Sequence, residues 1–335
     1  MANPIVVEAL RGERVESAHR GSGAVVDAEG RIVFAFGDAE QPIFPRSAVK
    51  ALQALPLVES GAADALALTD AELALAVASH SGEPEHVALV IGMLAKAGAG
   101  ERDLCCGAHW PIAAAAQQAL ASQRLQPSQV HNNCSGKHAG FLCLAAANSW
   151  DFAGYIEPTH PVQGAVKAAL EDMLGETLDD SRRAIDGCSI PTYAASLLGL
   201  ARGFARFASG IGLSPERAKA ARRLRQAVRE NPFYVAGSGR FDFEFMTRFG
   251  VKVFTKTGAE GVFCAALPHE GLGLAVKADD GAGRAAEVMI ASLIMRFGGF
   301  DEAERAAAER FVRPKLTNWR GIEVGVLRPA GPLAV

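Results

Sequence analysis

Hydrophobic and polar residues alternate along the first part of the chain with the two-residue period of β-strands. This alternation predicts strands over 5–9, 14–19, 23–26 and 32–36. The turn-forming residues of 27–30 favour an antiparallel hairpin between the last two strands. Strand patterns return late in the chain, over 251–254, 262–267, 272–277 and 322–327.

The middle of the chain has the three-to-four-residue period of helices. Thr69 and Glu72 have the spacing of a capping box, and prolines or glycines mark the ends of several later helices. Helices are predicted over 84–97, 111–123, 137–147, 161–174, 194–207, 217–229, 285–297 and 302–311.

The order of these elements predicts an α+β fold. The simplest assembly pairs the N- and C-terminal strands into one antiparallel sheet with flanking helices, and leaves the middle of the chain as a helical lobe. The chain has no repeated βαβ unit, no glycine-rich phosphate loop and no polar linker. We therefore predict a single two-lobed catalytic domain over residues 1–335, with a cleft between its lobes.

Composition and charge exclude several function classes. The 335 residues are 49% hydrophobic, so a large core is available, and the net charge of -3 gives no support for nucleic-acid binding. The basic residues of 217–229 have the spacing of one solvated helix face. No apolar run is long enough to cross a membrane and the start does not resemble a signal peptide. A cytoplasmic location is therefore expected, where the six cysteines would stay reduced.

Two short motifs indicate nucleophilic catalysis. Ser47 and Lys50 form a Ser-x-x-Lys pair at the start of an apolar helix, where a three-residue step lets the amine reach the hydroxyl. A desolvated lysine can take the proton that makes serine a nucleophile. Lys256 begins a Lys-Thr-Gly triplet after a strand-like run, and serine β-lactamases contain both motifs. A helix N-cap is the alternative interpretation of Ser47.

Two further polar clusters lie in the middle of the chain. Cys134, His138 and Cys188 could supply zinc ligands, although free cysteines are often small buried hydrophobes and the chain has no Cys-x-x-Cys here. The Ser-His-Ser-Gly-Glu segment that starts at Ser79 is predicted to end the capping-box helix, with Gly82 as its C-cap. This segment is either a polar helix end or the source of a second hydroxyl for proton relay.

Taken together, these motifs resemble the rhizobial-type L-asparaginases of the asparaginase II family, over essentially the whole chain. The matching segments are PRSAVK (45–50), SHSGE (79–83), NNCSGKH (132–138), DGC (186–188), KTG (256–258) and KADDG (277–281). The resemblance implies a serine β-lactamase/glutaminase-like fold, a homodimer, and hydrolysis of L-asparagine to L-aspartate and ammonia.

The resemblance also implies which residues form the site. Two Ser-Lys pairs would be catalytic, Ser47 with Lys50 and Ser79 with Lys256. One zinc ion per subunit would be held by Cys134, Lys137 and Cys188, so that Lys137 replaces the His138 suggested by spacing. A lysine ligand must be neutral to bind a metal, so zinc affinity should fall at low pH.

The expected mechanism is acyl transfer. Lys50 takes the proton of Ser47, which attacks the side-chain amide of asparagine. Ser47 is preferred as the nucleophile because its lysine is three residues away, but the sequence does not decide between Ser47 and Ser79. Candidates to hold the α-carboxylate and α-amine of the substrate are Arg46, His138 and Asp186.

Other functions remain open from the sequence. A serine β-lactamase, peptidase or glutaminase of the same fold would share the Ser-Lys motifs, and selectivity between asparagine and glutamine depends on about one methylene of pocket depth. A non-catalytic zinc-binding regulatory protein is a further alternative. The simultaneous presence of Ser47, Lys50, Ser79 and Lys256 argues against it.

Overall fold

The computed structural model describes residues 2–334, which contain ten strands and fourteen helices. The strands are β1 (Ile5–Arg11), β2 (Arg14–Asp27), β3 (Ile32–Phe36), β4 (Arg183–Ile185), β5 (Pro191–Tyr193), β6 (Phe254–Thr257), β7 (Val262–Leu267), β8 (Leu272–Ala278), β9 (Lys315–Thr317) and β10 (Glu323–Pro329). The helices are α1 (Lys50–Gln53), α2 (Leu55–Glu59), α3 (Ala62–Ala65), α4 (Asp70–Ala76), α5 (Pro84–Lys96), α6 (Ala114–Ser122), α7 (Ser135–Ala147), α8 (Pro161–Leu174), α9 (Leu197–Ser209), α10 (Pro215–Glu230), α11 (Phe233–Ala236), α12 (Phe241–Phe249), α13 (Gly283–Phe297) and α14 (Glu302–Val312).

The chain divides into two compact units, and the first contains the main sheet. Its described residues are 2–48, 194–212 and 255–334. The strand order is β6-β7-β8-β2-β1-β10-β9, with β3 also paired to β2. The strands from the two ends of the chain pair antiparallel, as in β1 with β10 and β2 with β8. The predicted α+β fold with an antiparallel sheet from N- and C-terminal strands is therefore confirmed.

Helices α9 and α13 pack against strands of this sheet. Helix α9 approaches β8 so closely that a Cβ on Gly273 would lie 1.9 Å from the carbonyl oxygen of Ala201. The alternation of hydrophobic and polar residues is interrupted at residues 20–22, so the sequence predicted two strands, over 14–19 and 23–26. The structure has one continuous strand there, β2. Gly21 explains the difference, because a Cβ at this position would lie 2.5 Å from the carbonyl oxygen of Lys277 on β8. The local pattern is interrupted by packing, not by a turn.

The second unit comprises residues 49–193 and 213–254 and is almost entirely helical. Helix α7 lies in the interior of this unit, and its residues from Ser135 to Ala145 are all buried. The capping box that begins α4 is confirmed, because the Thr69 hydroxyl accepts the Glu72 N–H and the Glu72 carboxylate accepts the Thr69 N–H. A small antiparallel hairpin, β4 with β5, completes the unit.

Three local predictions need correction. The strand expected over 251–254 lies at Phe254–Thr257, so Lys256 is inside β6. Helix α4 ends at Ala76, so Ser79 belongs to an irregular segment after the helix. The basic helix α10 is not simply a solvated face, because Arg217 forms ion pairs with acidic side chains of α2 and α8.

No helix within residues 2–334 is both long and apolar enough to cross a lipid bilayer.

Candidate active site

Ser79 lies in a segment that is held from two sides within the helical unit. Its backbone N–H donates to the carbonyl oxygen of Val235 at 2.8 Å, and the next residue, His80, donates its N–H to the carbonyl of Asn133 at 3.1 Å. These bonds tie the segment to the loop before α7 and to α11. Ser79 is buried, and its irregular segment is fixed by these backbone hydrogen bonds.

Lys50 provides the central contact of the site. Its side chain is only 1% exposed, and its amine lies 2.6 Å from the carbonyl oxygen of Ala78. The same Nζ lies 3.1 Å from Ser79 Oγ and 3.1 Å from Cys134 Sγ. The lysine nitrogen is thus within hydrogen-bonding distance of a carbonyl oxygen, a hydroxyl and a sulfur. The structure thus places a buried lysine directly on the hydroxyl of Ser79.

The second group of side chains surrounds Cys188. This residue lies in the turn between β4 and β5, where the following Ser189 adopts a left-handed backbone with φ of 77°. Lys137 Nζ lies 2.8 Å from Cys188 Sγ, and the thiol donates to Asp186 Oδ2 at 3.1 Å. Cys134 and Cys188 are also close enough to influence each other's pKa, so the group around Cys188 is continuous with the contacts of Lys50.

The two cysteines differ in their expected charge. The neighbouring side chain of Cys188, together with the charges of Lys50 and Lys137, holds the pKa of Cys134 well below its usual value despite burial. The neighbouring side chain of Cys134 and burial raise the pKa of Cys188. Burial acts to lower the pKa of Lys137, but the neighbouring Cys188, Cys134 and Asp186 outweigh it and raise the pKa. Of the two cysteines, Cys134 is therefore the one whose charged form its surroundings favour.

His138 follows Lys137 on α7 and is fully buried. Its Nδ1 lies 2.7 Å from the hydroxyl of Tyr155, which accepts the backbone N–H of Cys105 at 2.9 Å. Burial, with the charges of Lys137 and Lys50, holds the pKa of His138 well below its usual value. Sequence reasoning did not identify Tyr155, because a buried tyrosine in an irregular segment gives no local signal of a contact with α7.

The remaining predicted residues belong to the unit that contains the sheet. Ser47 is half-buried in a 3-10 turn over Arg46–Val49, and Arg46 itself has a left-handed backbone with φ of 51°. Such a conformation is uncommon outside glycine and often occurs at functional sites. Lys256 is fully buried on β6, and its amine donates to the carbonyl oxygen of Thr257 at 2.8 Å.

The Lys-Thr-Gly triplet lies against the turn that carries Ser47. A Cβ on Gly258 would lie 2.8 Å from the carbonyl oxygen of Pro45 and 3.2 Å from the Cβ of Ala48. The Lys-Thr-Gly triplet and the turn that carries Ser47 are therefore adjacent within this unit, although they are separated by about two hundred residues. The close approach requires glycine at position 258, since backbone oxygen atoms cannot move aside as a flexible side chain can.

Whether the residues present suit a metal ion depends on Lys137. Within the described part of the chain, no group of three or more His, Cys, Asp or Glu side chains is placed to hold a metal. Cys134 and Cys188 are near each other, and the Lys137 amine lies 2.8 Å from Cys188 Sγ. Sulfur and nitrogen donors are the ligands that zinc prefers. The donor set fits zinc if Lys137 gives up its proton.

Comparisons with known proteins identify the class of the chain as an amidohydrolase. The family model described as L-asparaginase II matches residues 7–329. The chain belongs to the L-asparaginase II family, which confirms the resemblance drawn from its motifs. None of the curated proteins matches the chain.

Two solved structures are among those similar to this chain. A β-lactamase from Mycobacterium bovis shares 14% identity over 83% of this chain and 95% of its own, with a TM-score of 0.40. A protein named Mglu shares 18% identity over 84% of this chain and 68% of its own, with a TM-score of 0.37.

Proposed function

We propose that this protein hydrolyses L-asparagine to L-aspartate and ammonia. Membership of the L-asparaginase II family supports an amide substrate. The observation that carries the proposal is the buried contact between Lys50 Nζ and Ser79 Oγ at 3.1 Å. A lysine amine beside a serine hydroxyl in a desolvated site is an arrangement suited to covalent acyl transfer.

The proposed reaction proceeds through an acyl-enzyme. Lys50 takes the hydroxyl proton of Ser47, and Ser47 Oγ attacks the side-chain amide carbon of the substrate. Collapse of the tetrahedral intermediate breaks the carbon–nitrogen bond, and the nitrogen leaves as ammonia after it receives a proton. Water then hydrolyses the ester, which releases L-aspartate and restores Ser47.

Ser79 and Lys256 form the second Ser-Lys pair of the proposal. The contact of Ser79 with Lys50 supports a role in which its hydroxyl carries the proton from the lysine towards the leaving nitrogen. The same contact makes Ser79 the alternative nucleophile. A direct comparison of alanine variants at Ser47 and Ser79 distinguishes these two roles.

Three side chains are proposed to bind the polar end of asparagine. A guanidinium matches a carboxylate with two parallel hydrogen bonds, so Arg46 is assigned to the α-carboxylate. Asp186, whose carboxylate accepts the thiol of Cys188, is assigned to the α-ammonium group. The neutral, buried imidazole of His138 supplies a further hydrogen-bonding group.

We also propose one zinc ion per subunit, held by Cys134, Lys137 and Cys188. When bound there, zinc would supply a fixed positive charge that holds both sulfurs as thiolates and organises the surrounding side chains. The enzyme is further proposed to be a cytoplasmic homodimer, on the strength of the resemblance and of the need to keep both thiols reduced. Analytical ultracentrifugation tests the dimer, and metal analysis of the purified protein tests the zinc.

Ammonia release from L-asparagine and from L-glutamine tests the proposed activity. Purified wild type is compared with the variants Ser47→Ala and Ser79→Ala, and with Ser122→Ala as a control on the exposed face of α6. We expect release from asparagine by wild type and Ser122→Ala, and loss of at least about 100-fold in Ser47→Ala. Unchanged release in Ser47→Ala combined with loss in Ser79→Ala would transfer the attack to Ser79.

A wild-type enzyme that releases no ammonia from asparagine, with zinc supplied, would overturn the proposal. Preferential release from glutamine would reassign the enzyme as a glutaminase. Hydrolysis of the chromogenic β-lactam nitrocefin in place of either amide would reassign it to the β-lactam group.

A further inference from the structure

His80 follows Ser79 directly and is fully buried. Its Nδ1 accepts the backbone N–H of Gly82 at 3.1 Å, so this nitrogen carries no proton. The proton therefore lies on Nε2, which is 2.8 Å from Ser135 Oγ. The Ser135 hydroxyl in turn donates to the carbonyl oxygen of Val130 at 2.8 Å, so it must accept from the histidine. The backbone thus selects one neutral tautomer of His80.

Ser135 is the first residue of α7, immediately after Cys134 and two residues before Lys137. The imidazole of His80 therefore connects the segment of Ser79 to the start of α7, where the proposed metal ligands Cys134 and Lys137 lie. A second link runs in parallel, because the His80 N–H donates to the Asn133 carbonyl at 3.1 Å. Together the two links fix the segment of Ser79 against the start of α7.

The relative position of the Ser79 segment and the start of α7 matters because Lys50 contacts both. The lysine amine lies 3.1 Å from Ser79 Oγ and 3.1 Å from Cys134 Sγ. A shift of the Ser79 segment along α7 would lengthen one of these contacts or both. Misplacement of reacting groups by about 1 Å can cost on the order of 100-fold in rate.

We propose that His80 is a positioning residue, whose hydrogen bond to Ser135 holds Ser79 in register with Lys50 and Cys134. The proposal rests on the proposed function, since it assigns catalysis to Ser79 and Lys50. His80 does not itself act as an acid or a base. Burial, together with the nearby His86 and Lys50, holds its pKa well below the usual value and keeps the ring neutral.

Two substitutions of His80 separate its two hydrogen bonds. His80→Asn places an amide oxygen near the position of Nδ1 and keeps the acceptor for Gly82, but it cannot reach Ser135. His80→Gln places an amide N–H near the position of Nε2 and keeps the donor to Ser135. We expect His80→Asn to lower kcat by about 10- to 100-fold with KM changed less than about threefold. His80→Gln should keep most of the wild-type kcat.

A double-mutant cycle tests whether the bond to Ser135 carries the effect. Ser135→Ala should lower kcat as much as His80→Asn does, and the double variant should show no further loss. His86→Gln is the matched control. His86 is as buried as His80, and its ring stacks on that of His80 with 5.0 Å between centroids. Its side chain pairs with the carbonyl oxygen of Phe233 and not with Ser135. The kcat of His86→Gln should equal that of wild type. Independent, additive losses in the cycle would overturn the proposal.

The imidazole 15N chemical shifts of His80 give a readout that needs no substrate. At pH 8 wild type should show a proton on Nε2 and a bare Nδ1, and Ser135→Ala should alter the Nε2 signal. If His80→Asn does not fold, the smaller truncation Ser135→Ala carries the kinetic test alone. An unaltered Nε2 signal in Ser135→Ala would overturn the link. Absence of ammonia release by wild type would overturn the proposed function, while the spectrum would still decide whether His80 holds Ser135.

Discussion

The side-chain amine of Lys50 lies 3.1 Å from the hydroxyl of Ser79, although the two residues are 29 positions apart in the chain. The lysine is 1% exposed and its remaining contacts are the carbonyl oxygen of Ala78 and the sulfur of Cys134. An amine buried in this way is costly unless its protons are matched by acceptors. The acceptors are present, and one of them is a side chain that can be a nucleophile.

Replacement of Lys50 by methionine should abolish ammonia release while the protein stays folded. Methionine fills a similar volume but offers no amine to Ser79, and loss of a general base costs about 100- to 10,000-fold in rate. Lys167→Met is the control, since Lys167 pairs with Glu171 on α8 and lies outside the site. Ammonia release and thermal melting are measured for both variants. A Lys50→Met enzyme with more than a tenth of wild-type activity would contradict the role given to the lysine.

Substitution of either proposed sulfur ligand should remove the metal. Cys134→Ala and Cys188→Ala should each lose the zinc that wild type holds, as measured by metal analysis after dialysis. Cys143→Ala should keep it, because Cys143 is a structural thiol on α7 whose pKa is raised by burial to about 12. Zinc retained by Cys188→Ala would place the metal elsewhere. Activity unchanged by both chelation and Cys188→Ala would leave zinc without a catalytic role.

Stability should fall as the pH drops below about 6.5, because His80 and His86 are buried in neutral form. Burial lowers the pKa of both rings below their unfolded value of 6.5. Below that pH the unfolded chain binds protons that the native protein does not, so each histidine reduces the free energy of unfolding by up to about 1.4 kcal/mol per pH unit. The loss continues until the pH reaches the folded pKa.

Urea unfolding between pH 8 and pH 5 measures this slope. His86→Gln should flatten it, since the amide can still donate to the Phe233 carbonyl but does not titrate. His269→Gln, at an exposed position, should keep the wild-type slope. Equal slopes for wild type and His86→Gln would show that His86 does not contribute to the acid sensitivity.

A methyl group at Gly136 should destabilise the helical unit. Its Cβ would lie 2.4 Å from the carbonyl oxygen of Leu75, where α7 crosses α4, and neither backbone can easily give way. Overpacking of this kind costs about 1–3 kcal/mol. Gly164→Ala is the matched control, because a Cβ at that position of α8 meets nothing within 4 Å. It should raise stability by up to about 1 kcal/mol, since alanine is the better helix former. Chemical denaturation of both variants gives the difference, and a stable Gly136→Ala would show that the two helices can separate.

The sequence by itself determined most of the elements of the fold. Periodicity and capping residues predicted α8 at its observed bounds and β7 likewise, because both elements have regular patterns bounded by strong start or stop signals. The capping box of Thr69 is equally local, since its two hydrogen bonds join residues three positions apart. Short elements such as β9 and α11 were missed because three or four residues carry too little pattern.

The sequence motifs also named the chemical groups of the site, but only the tertiary structure decided which groups meet. The folded chain brings the hydroxyl of Ser79 to the amine of Lys50, a contact that no spacing in the sequence indicated. The link from His80 to Ser135 and the pairing of Lys137 with Cys188 likewise join residues more than fifty positions apart. Periodicity reports only contacts between residues a few positions apart, and long-range contacts of this kind depend on how helices and loops pack. The sequence fixes the type of each residue. The distances between side chains, their burial and their pKa shifts depend on the packing of the folded chain.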